Sequence, residues 1–161
     1  MKLFWTALAI VAALAAQTAL SRIVPVQARV LDPFLLVVVY YALKGGETHG
    51  MLAGAAAGWV QDVHFGGRIL GLSGLSKTLV GFGVGLAGTR FQLTEPAARV
   101  LVLSLAALVD ALIVRQLAVA FDVTTGVLSL PALAVRAVVN AAIGVVLFAL
   151  VERRRWRWSR A

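Results

Sequence analysis

Seven polar residues sit inside or at the ends of apolar stretches and have side chains that could do chemistry: Asp32, Asp62, Lys77, Asp110, Arg115, Arg136 and Asn140. Carboxylates and cations in such surroundings can relay a proton, grip a charged headgroup or solute, or pair with one another. Each would cost roughly 2.5–3.5 kcal/mol alone at a bilayer centre, so their presence needs a reason. Arg136 and Asn140 are one helical turn apart and share a face if the segment is helical. His49 and His64 bracket one apolar segment at its two ends, too far apart for a single site. Asp62 and Asp110 could be imagined as an intramembrane aspartyl pair, but the basic residues are equally near. No HExxH, GxSxG or phosphate-binding loop occurs. The absence of cysteine rules out disulfides, thiolate metal sites and a cysteine nucleophile. No catalytic residue, metal or cofactor is expected.

The elements that must position these residues follow from composition. The chain is 61% hydrophobic and 14% charged, whereas soluble chains are roughly half apolar and about a quarter charged. A chain of 161 residues could not bury so many apolar side chains in a water-soluble core, so the apolar runs belong in lipid. One integral membrane domain over 1–161 is expected. The formal charge of +8 is concentrated in an arginine-rich tail, 152–161, holding Arg153, Arg154, Arg155, Arg157 and Arg160. Cations directly after an apolar helix are positive-inside anchors against an anionic leaflet, not a nucleic-acid signal.

Six apolar spans are expected, at about 3–20, 30–43, 48–64, 69–89, 97–121 and 131–151. The first, preceded by Lys2, also has the outline of a signal peptide, but its length favours a retained helix. The second starts sharply at Asp32-Pro33, a capping carboxylate followed by a residue suited to the first helical turn. From there to the Lys44-Gly45-Gly46 stop it provides only about 17 Å of helix, short of the roughly 30 Å hydrocarbon core. With both termini cytoplasmic, nine basic residues outside the spans or at their ends face inward and three (Arg22, Arg29, Arg68) face outward. Asp32, Asp62, Lys77, Asp110, Arg115, Arg136 and Asn140 then share the outer half of the bundle, three acids against three bases. Pairing that holds the helices in register is the plain reading. A polar outward-facing pocket for a small solute or lipid headgroup is the sharper one, and snorkelling by Arg115 and Arg136 is a third.

The glycines form two ladders. Gly50, Gly54 and Gly58 recur every four residues along the third segment, and Gly81 and Gly85 do so along the fourth. Small residues at this spacing let helix backbones approach closely. They are expected to serve internal packing or the docking of a partner helix, while Gly66-Gly67 makes the intervening turn.

These same residues carry a resemblance. The run Asp32-Pro33-Phe34-Leu35-Leu36 onward to Tyr40-Tyr41, then Gly50, Gly54, Gly58, Gln61-Asp62, Gly66-Gly67 and Leu70-Gly71, resembles the rod shape-determining MreD family. That family usually has its acid and proline in the order Pro-Asp, the reverse of Asp32-Pro33. The resemblance spans residues 32–90 and implies a non-enzymatic, multi-pass scaffold of the bacterial inner membrane. The scaffold would bind MreC through its transmembrane helix and act with MreB and the peptidoglycan synthases of the elongation complex, amid membrane lipids. It also implies an all-α, six-helix fold similar to the S components of energy-coupling-factor transporters, which bind ligand in an outward-facing pocket.

Overall fold

The computed structural model describes residues 2–23, 30–65, 70–91, 96–122 and 130–158. Among them are five helices and no strand: α1 (Lys2–Ile23), α2 (Pro33–Phe65), α3 (Leu72–Arg90), α4 (Pro96–Ala120) and α5 (Leu130–Trp158). Three contain stretches long and apolar enough to cross a membrane: Phe4–Ile23, Ala97–Ala120 and Pro131–Val151. The protein is therefore an all-helical membrane protein. Gly66-Gly67, the expected turn, lies outside the described residues, as do Arg29 and Arg68.

The expected second and third segments are the two arms of α2, joined at the expected Lys44-Gly45-Gly46 stop. Gly46 breaks that element with φ 78° and ψ −173°, a conformation open to glycine because it lacks Cβ. The break folds the two arms of α2 onto each other. The rings of Phe34 and Phe65 lie 6.4 Å apart, whereas a straight helix would separate them by about 46 Å. Phe34, Val38 and Ala57, drawn from both arms, share one apolar cluster with Ile10 and Ala13 of α1.

The first arm is the buried axis of the molecule. Phe34, Leu35, Val38, Val39 and Ala42 have no exposed surface. One side of the arm packs on α1; the other joins Val80 and Val84 of α3, Leu103 and Ala107 of α4, and Ala141 and Phe148 of α5. Sheathed on both sides by the other helices, this short arm meets protein along most of its length. Among the described residues α1 packs on α2 alone, while α4 and α5 pack on each other.

Local chemistry sets the other boundaries. The N–H of Leu35 donates to Asp32 Oδ1 at 3.1 Å, capping α2. Prolines occupy the first turns of α2, α4 and α5 (Pro33, Pro96, Pro131), where a missing N–H removes no helical bond. Helix α5 continues past the apolar run to Trp158, through most of the tail.

Candidate functional site

Four charged side chains converge where α2 begins: one from the capping residue just before α2 and one from each of α3, α4 and α5. Lys77 Nζ lies 2.8 Å from Asp32 Oδ2 and 3.5 Å from Asp110 Oδ1. Arg136 Nη2 reaches the same two carboxylates, at 3.3 Å from Asp32 Oδ2 and 3.2 Å from Asp110 Oδ2. Two acids and two bases form a closed, formally neutral ring. Lys77 is 1% exposed and Asp110 is fully buried, while the Arg136 side chain keeps 23% of its surface.

Burying ions is expensive and becomes tolerable only when geometry is good and the remaining lone pairs are used. Here they are. Ser76 donates its hydroxyl to Asp110 Oδ1 at 2.8 Å. Asn140 clamps the chain entering α2: its Oδ1 accepts from the Asp32 N–H at 2.9 Å, and its Nδ2 donates to the Val30 carbonyl at 2.8 Å. Asp32 thus caps a helix with one oxygen and binds both cations with the other. The exception is Arg136 Nε, a buried donor without a partner.

The glycine ladders set the depth of this ring. A methyl group on Gly54 would collide with the backbone of Lys77 and Thr78, and one on Gly58 with Ser73 and Gly74. Gly50 and Gly81 meet directly, and Gly85 abuts the Gly46–Glu47 backbone. The ladders therefore mesh with each other inside the molecule, placing the α3 backbone against the second arm of α2. Lys77 sits at one of these close approaches, opposite Gly54.

Two expected members of the cluster are elsewhere. Asp62 accepts the N–H groups of Gly71 (2.9 Å), Ser73 (3.1 Å) and Gly74 (2.9 Å). Its carboxylate satisfies the first turn of α3, where orphan N–H groups and the helix dipole favour an anion. Arg115 is exposed on α4, about 140° around the helix from Asp110. Asp32, Lys77, Asp110, Arg136 and Asn140 do come together. Ser76 was missed by sequence reasoning, although a hydroxyl beside a lysine in an apolar segment was a usable signal. At the opposite end of the bundle, Thr6 and His49 share a 3.1 Å hydrogen bond. Among the described residues no three His, Cys, Asp or Glu side chains converge as metal ligands do.

The ring leaves neither carboxylate without cationic partners. Its chemistry is that of a staple across four helices. A solute pocket lined by Asp62, Lys77, Arg115 and Arg136 does not assemble: one is a helix cap, one faces outward, and the other two are held by Asp32 and Asp110.

Comparison with known proteins gives one family. The model described as rod shape-determining protein MreD matches residues 1–154. No curated protein matches the chain, and no solved structure does.

Proposed function

The chain belongs to the MreD family of rod shape-determining membrane proteins, and from that premise we propose that it is a non-enzymatic scaffold of the bacterial cell-elongation complex. In this reading it sits in the inner membrane, binds the single membrane-spanning helix of MreC, and through that contact helps position peptidoglycan synthesis under MreB. The observation that carries the reading is the closed ring of Asp32, Lys77, Asp110 and Arg136. A protein that spends its buried charges on joining α2, α3, α4 and α5 is built to hold a shape, and a fixed shape is what a docking platform requires.

The reading includes six crossings, with each arm of α2 counted separately and both termini cytoplasmic. The second arm and α3 are each about 28 Å long, close to the hydrocarbon thickness. The Gly46 break then faces the cytoplasm and the ionic ring lies in the outer half. An architecture like the S components of energy-coupling-factor transporters belongs to the same proposal.

Co-expression of the tagged chain with MreC, followed by detergent extraction, tests it. Joint purification at constant stoichiometry is expected. Clean separation of the two, from a preparation in which the chain remains folded and monodisperse, would sink the scaffold reading.

A further inference from the structure

The two faces of α4 have opposite characters. One is buried and small-residue-rich, with Ala106, Ala107, Ala111 and Ala118 around Asp110. The other carries Leu101, Leu105, Leu108, Leu112, Arg115 and Val119, spaced four and three residues alternately. This is the 3.5-residue repeat of a left-handed helix pair, the seam that packs knobs into the holes of a partner. Leu108 is half-buried and the other five are exposed.

Exposed leucines alone suit lipid, and α1, α3 and α5 also show apolar exteriors. What distinguishes this seam is Arg115, which takes an apolar position of the repeat beside exposed Gln116. It lies about 8 Å inside the end of α4. Among the described residues it has no counter-charge: Asp110 is on the far face, held by Ser76, Lys77 and Arg136, and the ion pairs of Asp32 and Asp110 are those with Lys77 and Arg136. A second copy of this chain paired on the same face would set Arg115 against Arg115, and like charges there repel.

We propose that the exposed face of α4 is the docking seam for a single membrane-spanning partner helix that brings an apolar heptad face and one carboxylate at the depth of Arg115. The inference rests on the scaffold reading and gives that scaffold its contact surface.

The probe positions are exposed, so the probes displace no buried contact. Photocrosslinking residues at Leu105 and Leu112, with Leu8 on α1 and Leu79 on α3 as controls, are placed in the full chain in membranes containing MreC. Adducts with MreC are expected from Leu105 and Leu112 and not from the controls. Arg115→Leu should lower their yield about tenfold, the scale of one interhelical polar contact, and Arg115→Glu should be rescued by exchanging a partner acid for arginine. Adducts with MreC from Leu8 or Leu79 alone would overturn the seam while leaving the scaffold reading intact. So would intact co-purification with only phospholipid, or a second copy of the chain, crosslinked at Leu105 and Leu112. Unchanged yield in Arg115→Leu would also overturn it, because the charge at Arg115 is what selects the partner. No adduct at any position together with no co-purification overturns both.

Discussion

Lys77 is the residue whose loss should matter most, because it neutralises two carboxylates that cannot reach water. Replacing it by methionine leaves Asp32 and Asp110 facing one arginine in a buried site. Breaking a buried ion pair from one side costs about 3–5 kcal/mol, so Lys77→Met should sharply lower the melting temperature in detergent. Adding Asp110→Asn restores neutrality, leaving Asp32 with Arg136. The double variant should recover most of the loss, since removing both partners of a pair is far milder than removing one. A double variant no more stable than Lys77→Met alone would show that the ring does not act as a unit. Asp62 stands apart from this arithmetic. Its bonds are to three backbone N–H groups of α3, so its role is local to one helix start.

Glycine acts at the scale of elements, and position decides which glycines matter. Gly54 abuts the Lys77 backbone, whereas a methyl on Gly83 would meet nothing within 4 Å. Gly54→Leu should therefore push α3 away from α2, displace Lys77 and abolish a cooperative melt. Gly83→Ala should raise stability by about 0.5–1 kcal/mol, because alanine is the better helix former where no neighbour intervenes. Thermal unfolding of the two variants beside the parent separates the cases; equal effects would mean that the close approach at Gly54 is unimportant. The same contrast redirects the original expectation for the ladders. Gly50, Gly54, Gly58, Gly81 and Gly85 are buried against backbone within the chain, so these faces cannot also receive a partner helix.

At the scale of the molecule, the arrangement is a short buried helical arm wrapped by longer ones, with the ionic ring at one end and the Gly46 reversal at the other. The proposed topology makes these ends outer and cytoplasmic respectively. The cysteine-free chain allows a direct check. In intact cells, Phe121→Cys should react with an impermeant maleimide, and Phe91→Cys should react only after the membrane is opened. Both side chains are exposed, so the reverse pattern would invert the whole assignment and place the ring on the cytoplasmic side.

Composition, apolar run length and the order of glycines, acids and prolines were enough to identify helices in a membrane and membership of one family, because these are properties of the chain that do not depend on which helices touch. The helix starts at Pro33, Pro96 and Pro131 were legible for the same reason: capping and proline chemistry are local. The grouping of Asp32, Lys77, Asp110, Arg136 and Asn140 could be guessed from the cost of isolated charges, but not their pairing. Depth along a helix axis says nothing about which face turns inward, so Asp62 and Arg115 were counted with residues they do not meet. The break at Gly46 was legible in the Lys44-Gly45-Gly46 stop, but only the tertiary structure decided that the glycine ladders mesh with each other and that Asp62 caps α3. Each of these depends on contacts between segments distant in sequence, where register and helix rotation are set by packing.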